Sequence, residues 1–423
     1  MKQICIALSL VLFMVLAVAL SASAQSSAQV PANFLQKARS LHPAGKVSPK
    51  PFGLNFSGSN SSGIPGIDSI PNFVKSFNAN GQDAFGNPQN VWSYAMVGRA
   101  PEKGDATFIP APIIPVSVNL LNPDGSVFLH YDVKPFVLPT LLSPVFFPNK
   151  WSTSKVPTQY TDAVQRAEFF NHMEDDWHTL LIPELKKGLT MSIPSGSYFY
   201  ALNNDGSCCL FVLADIDEFI SLLFPPTFPV DNTTVIGAAE LNGSMTTKDI
   251  TTLLFPNTYL YFNGDPNQCC VLGFHEFDFE PGIPQNGNLP RLYVMNYSSY
   301  ISPGLFGGGF QDITALSHEM SETFNDPFVV FDGVHNLTPW WFSGGNCQDD
   351  LEDGDVIEGL PDNVVFPIKS AGRVYHPQNE ALLQWFEFKS PSDAFQHAYS
   401  YPNTQTLTAL SPALAAGCTG PLP

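Results

Sequence analysis

Apolar residues fall into short, interrupted runs along most of this chain. From Phe108 to Leu121 and from Val127 to Val137 the residues are apolar or β-branched, cut by prolines and by the turn pair Asp124-Gly125. Runs of this length bounded by turn residues predict strands. Between Thr161 and Leu185 the period changes. Val164, Ala167, Phe170, Trp177 and Leu181 recur at helix-like spacing, which predicts the longest helix there, capped by Thr161 or Asp162. A further strand is expected over Pro290–Tyr300, followed by a glycine-rich loop from Pro303 to Gly309. A second helix should begin at Asp312, a good N-cap residue, and stop at Asn325-Asp326-Pro327, because residues before proline disfavour the helical region. Its stripe of Ile313, Leu316, Met320 and Phe324 should face the core.

An internal repeat lies between the two helices. Gly196-Ser-Tyr-Phe-Tyr200 leads through an Asn-Asp-Gly turn to Cys208-Cys209, and Asn257-Thr-Tyr-Leu-Tyr261 leads through Gly-Asp-Pro-Asn to Cys269-Cys270. Between them, Glu218-Phe-Ile-Ser-Leu-Leu-Phe-Pro resembles Asp249-Ile-Thr-Thr-Leu-Leu-Phe-Pro. Each copy reads as strand, tight turn, strand, so two hairpins of related shape are expected. Six cysteines remain once Cys5 leaves with the leader described below. Bonds are expected between the 208/209 pair and the 269/270 pair, because adjacent cysteines close a strained ring, and Cys347 then pairs with Cys418 by elimination.

The N-terminus adds a destination. Lys2 precedes an apolar run from Ile6 to Leu20 that ends in Ser21-Ala22-Ser23-Ala24, the pattern of a cleavable secretory signal over residues 1–24. The run is shorter than a membrane span, and no later segment is long and apolar enough to be one. The mature chain is thus expected to be secreted or extracytoplasmic, in the periplasm or at the cell surface, without a transmembrane segment. Residues 25–70, rich in Ser, Pro, Gly and Asn, read as a flexible leader or linker. A β-rich part over 71–160 follows, then 161–423 with the helix, the hairpins and the motif helix, the two forming separate domains or one. Losing Lys2 takes the formal net charge from -19 to -20, which excludes nucleic acid as a partner, since phosphate binding needs basic patches. Six Asn-x-Ser/Thr sites, at Asn55, Asn60, Asn232, Asn242, Asn296 and Asn336, matter only in a host that glycosylates.

The chemistry concentrates in Ser317-His318-Glu319-Met320-Ser321-Glu322. His318 and Glu322 are four apart, so on a helix they point the same way and can hold one Zn²⁺ together. Glu319 sits beside the first ligand, where zinc peptidases carry the carboxylate that deprotonates the water. The motif is His-Glu-x-x-Glu, with a second carboxylate where a second histidine is usual. Candidates for a third ligand are Asp326, Glu352, Asp355 and His275. The dense run Asp349–Glu358 has a rival use as a calcium loop, although it lacks the EF-hand pattern. His172 and Asp176, also four apart, read as a solvated polar face. No Gly-x-Ser-x-Gly elbow is present, and the glycine-rich loop lacks the lysine of a phosphate loop.

His318, Glu319, Glu322, Asp326 and Pro327 together resemble the His-Glu-x-x-Glu-x-x-x-(Asn/Asp)-Pro core of secreted exordium-like, or phosphate-induced, proteins and related bacterial exported proteins. Trp340-Trp341 resembles the aromatic segment that follows the core there, and Glu352-Asp-Gly-Asp355 the acidic stretch after it. Such proteins place a cysteine just after that aspartate, whereas Cys347 precedes it here. Gly273-Phe-His275 is similar to a Gly-(Tyr/Phe)-His segment of the same group. The resemblance covers about residues 265–360 and implies a zincin-like metal helix. The fold class expected is α+β: a zincin-like mixed sheet with a motif-bearing helix and a β-rich N-terminal part. The leading functional expectation is a zinc-dependent, peptidase-like hydrolase acting on a peptide or other extracellular substrate. Its rival is a non-catalytic extracellular protein that keeps a structural metal helix.

Overall fold

The structure is a computed structural model that describes residues 70–82, 88–202, 209–225, 232–284, 287–307, 309–328, 340–341, 347–348, 351–358, 360, 362–410 and 420–421. The leader at 1–24, the segment 25–69, Cys208 and Cys418 lie outside the described residues. The described residues all fall in one compact unit, Leu35–Pro423. The first strands are β1 (Asn72–Gln82), β2 (Pro88–Val97), β3 (Ala106–Leu121), β4 (Val127–Tyr131), β5 (His178–Leu185) and β6 (Leu189–Ile193). They continue with β7 (Tyr198–Leu202), β8 (Leu210–Asp215), β9 (Ile250–Pro256), β10 (Thr258–Tyr261), β11 (Cys269–Val271), β12 (Gly273–Glu280) and β13 (Arg291–Tyr300). The helices that matter below are α1 (Lys134–Leu141), α2 (Tyr160–Glu168), α3 (Ile216–Leu223), α4 (Val235–Leu241), α5 (Thr314–Asn325) and α6 (Asp355–Glu358). The class is mixed α+β with a strand-rich N-terminal part.

The run predicted from Phe108 became β3, the spine of a seven-stranded sheet. β3 pairs parallel with β5, β6 and β9, and antiparallel with β4. The sheet continues from β9 to parallel β13 and then to antiparallel β12. Successive side chains of a strand point to opposite faces, and here both faces are buried. Ile113, Leu254, Val294 and Phe277 join one core with Ala163 and Val164 of α2 and Leu316, Met320 and Phe324 of α5. Their neighbours Ile114, Leu253 and Met295, with Phe274 three residues before Phe277, join a second core with Phe219 of α3 and Ile236 of α4. This two-sided burial explains why β3 reads from Ile109 to Val118 as a nearly continuous apolar run rather than an alternating one.

The helix expected over Thr161–Leu185 is a correction. α2 ends at Glu168, and the second half of the span is β5. The apparent period ran across a break: Thr179 and Leu181 are buried at strand alternation, and Pro183 cannot continue a helix. Gln159, not Thr161 or Asp162, occupies the cap position. His172 and Asp176 therefore share no helix face, and His172 instead pairs with Asp393 at 2.6 Å. The Val127–Val137 run likewise splits into β4 and the start of α1, where Pro135 sits in the first turn.

The two hairpins are present. β7 pairs antiparallel with β8, β10 with β11, and β8 joins β10 in parallel to make one four-stranded sheet. The connecting similarity does not carry over, since the Glu218 copy lies in α3 and the Asp249 copy runs into β9. The expected cross-links between the cysteine pairs are also corrected. Cys269 is bonded to Cys270, with a cis peptide between them, and Cys209 is disulfide-bonded as well. Cys269 lies opposite Tyr261, which lies opposite Asp215, six residues on from Cys209 along β8. That offset is roughly 20 Å of strand, far beyond disulfide reach. The Cys347–Cys418 expectation falls outside the described residues. Asn296, one of the glycosylation sequences, is fully buried in β13. No helix among the described residues is long and apolar enough to cross a membrane.

Candidate metal centre

Every residue of α5 is buried, so this helix is core and site at once. Ile313, Leu316, Met320 and Phe324, each 2% exposed or less, form the predicted stripe against the sheet. At about 1.5–3 kcal/mol for each fully buried apolar side chain, the stripe anchors the helix firmly. The helix ends at Asn325, with Asp326 as its C-cap and Pro327 next, as the sequence predicts. Its start differs. Ile313 takes the cap position, and Asp312 turns its carboxylate to His376, accepting from the ring Nδ1 at 2.7 Å and from the backbone N–H at 3.0 Å.

The remaining face of α5 meets β12 and the turn into α6. His318 Nε2 lies 3.0 Å from Glu322 Oε1 and 3.5 Å from Asp355 Oδ1. His275 of β12 comes from the side: its Nδ1 is 3.4 Å from Glu322 Oε2 and 3.9 Å from Glu319 Oε2. Glu319 Oε1 is also 3.9 Å from His318 Nε2. Two groups of potential ligand atoms result, His318 with Glu322 and Asp355, and His275 with Glu319 and Glu322, and either can hold a metal ion. Strand parity puts His275 here. It shares the α5 face of β12 with Phe277, while Phe274 faces the second core.

Two glycines let the backbone come this close. A Cβ on Gly354 would lie 2.6 Å from His318 Nδ1, and one on Gly273 would lie 2.6 Å from Glu319 Cγ. Gly354 also donates its N–H to Glu322 Oε1 at 3.1 Å, and Gln378 holds the Gly354 carbonyl at 2.7 Å. The helix residues and the two approaching segments are thus fixed by backbone contacts.

The electrostatics fit a site built for positive charge. Burial opposes a charged imidazole, yet Glu322 and Glu319 outweigh it and hold His318 well above its usual range. Burial likewise opposes charge on His275, and the same two carboxylates overcome it. Burial pushes Glu319 up to about 7, against the pull of His318 and His275. Glu322 meets the same burial, but the two histidines hold it below the ordinary carboxylate range. Beyond this ring, burial and the carboxylates around it raise Asp353 well above its ordinary value. Burial also lifts Glu380 to about 8 and Glu168 to about 8. Fully buried carboxylates so arranged repel one another unless they are protonated or share a cation.

Of the candidate ligands read from the sequence, His318, Glu322, Asp355 and His275 are brought together, with Glu319 among them. Asp326 and Glu352 are buried but belong to neither ligand group. Asp326 Oδ2 accepts from the Leu351 N–H at 3.1 Å and so ties the acidic segment to the end of α5. The acidic segment does not close as a single calcium loop over its described residues. Asp355 faces His318, whereas Asp353 accepts from Ser321 Oγ and Asn325 Nδ2, both at 2.8 Å. Asp353 lay within the acidic run without being singled out, and the sequence reading missed Glu168 and Glu380. Glu168 accepts from Asn325 Nδ2 at 3.2 Å, and Glu380 from Tyr160 at 2.6 Å. Their distance along the chain left no local signal. Comparison of the chain with protein-family models, with curated proteins and with solved structures finds no match in any of the three.

Proposed function

We propose that this protein is an exported, metal-dependent hydrolase of peptidase-like type, with a zincin-like helix and zinc as its ion. The observation that carries the reading is the convergence of His318, Glu322 and Asp355 with Glu319 beside them. One imidazole and two carboxylates are a donor set that zinc accepts. A cation held there polarises a carbonyl and makes water a stronger nucleophile. Glu319 takes the proton from the attacking water and returns it to the leaving group. Glu319 Oε1 lies 3.9 Å from His318 Nε2, beside the place a cation would occupy and within reach of a water held there. His318 Nε2 lies 3.0 Å from Glu322 Oε1, and the Gly354 N–H donates to that same oxygen. The signal-like Met1–Ala24 segment supports export.

A second reading has its own support. The side chains of His318, Glu322 and Asp355 are 3% exposed or less, and a closed site is the habit of a structural ion. The replacement of a second histidine by Glu322 also makes for a weaker Lewis acid. Metal content and hydrolysis of a broad peptide library, measured on wild type, His318→Ala and Glu319→Gln, separate the two. The hydrolase reading expects zinc at His318 in wild type and in Glu319→Gln, its loss in His318→Ala, and cleavage by wild type alone. Zinc without cleavage by wild type would leave a structural ion. Zinc retained at wild-type level in His318→Ala would end both readings.

A further inference from the structure

We propose that the centre is binuclear: it holds two divalent cations, bridged by Glu322 and flanked by His318 on one side and His275 on the other. The inference rests on the metal reading above and extends it to a second ion. Its basis is how the carboxylate oxygens divide between the two histidines. Glu322 turns Oε1 to His318 Nε2, at 3.0 Å, and Oε2 to His275 Nδ1, at 3.4 Å. Glu319 divides in the same sense, with Oε1 3.9 Å from His318 and Oε2 3.9 Å from His275. A carboxylate serving one ion has no need to present its second oxygen to a second imidazole. Glu322 doing so is the donor arrangement of a bridged pair, with Glu319 reaching toward the same two histidines at longer distance.

The two halves differ in one respect. Each half offers three donors, but Glu322 and Asp355 lie 3.0 and 3.5 Å from His318 Nε2, whereas Glu322 and Glu319 lie 3.4 and 3.9 Å from His275 Nδ1. The His318 site should therefore bind more tightly and fill first. Glu319 keeps its role at the first ion, since Oε1 faces His318 while Oε2 serves the second.

The test is zinc titration of full-length protein stripped with a chelator, read by calorimetry and by elemental analysis after gel filtration. Wild type should take two ions per chain in separable steps, and His275→Ala should keep only the tighter one. Glu322→Gln should retain neither at protein-level concentrations. Manganese loading gives a readout that survives a misfolded variant, because two bridged Mn²⁺ ions in wild type give an exchange-coupled electron paramagnetic resonance spectrum. One zinc per wild-type chain, unchanged in His275→Ala, with an isolated-ion manganese spectrum, would overturn the second site and leave the one-ion reading standing. No bound zinc in wild type would overturn both.

Discussion

Gly354→Ala adds one methyl group and removes no ligand, so it isolates the effect of backbone approach on the centre. The new Cβ would sit 2.6 Å from His318 Nδ1 and 2.7 Å from both Cε1 and Cγ. Comfortable contact for such atoms is about 3.5–4.0 Å, so the ring or the turn must retreat by roughly 1 Å. The ring cannot do so alone. Its Nε2 lies 3.0 Å from Glu322 and 3.5 Å from Asp355, and the helix that carries it is buried along its whole length. Overpacking of this kind costs about 1–3 kcal/mol. Metal sites tolerate only about 0.2 Å in ligand distance, so zinc affinity should fall by about 10–100-fold, as it does when a supporting contact is lost. Competition against a chromophoric chelator measures that affinity. The zinc-dependent rise in melting temperature offers a second measure, since stabilisation follows ligand concentration over Kd. Gly307→Ala is the control, because a Cβ there meets nothing within 4 Å. Wild-type zinc affinity in Gly354→Ala would show that the turn before α6 does not rest on His318, and the arrangement of the centre would have to be redrawn.

Glu168 provides a pH signature. Burial raises it from 4.5 to about 8 in the fold, so as pH rises the unfolded chain releases this proton first and stability falls between those values, by up to about 1.4 kcal/mol per pH unit. Glu168→Gln cannot release a proton. Urea unfolding at pH 5 and pH 8 in chelator should therefore find a smaller loss in the variant than in wild type, and equal losses would count against a neutral Glu168. Phe324→Ala should destabilise the protein by about 3–5 kcal/mol, because this side chain is 1% exposed in the core beneath α5. A cost under about 1 kcal/mol in thermal or urea melts would mean that α5 is not packed as described.

How much of this was legible in the sequence depended on the range of the interaction that decides each feature. The ends and stripe of α5 were legible because they are local: proline stops the helix, and four apolar residues at helical spacing find one core. β3 was legible for the same reason. The second half of the Thr161–Leu185 span was not, because its strand state is set by pairing with β3, more than sixty residues earlier in the chain. The cysteine pairs misled because the repeat suggested two like elements side by side, whereas the parallel register of β8 and β10 offsets the pairs along the sheet. In the site, His318, Glu319 and Glu322 followed from spacing alone. His275 and Asp355 were among several candidates, and only tertiary placement separated them from Asp326 and Glu352.

One feature of the centre links these scales. The helix supplies its residues at consecutive and i, i+4 positions, which any exposed helix could also do. What distinguishes this helix is that the two partners from outside it follow closely on a glycine: Gly273 stands two residues before His275, and Gly354 immediately before Asp355. In both places a side chain would collide with a motif residue, Glu319 in one case and His318 in the other. The close approach of backbone to helix is therefore a condition for the centre to exist, and it is written locally, as a glycine next to a ligand. A His-Glu-x-x-Glu helix is weak grounds for a metal site by itself. The same helix accompanied by two such glycine–ligand pairs carries in its sequence the means of bringing the other ligands within reach.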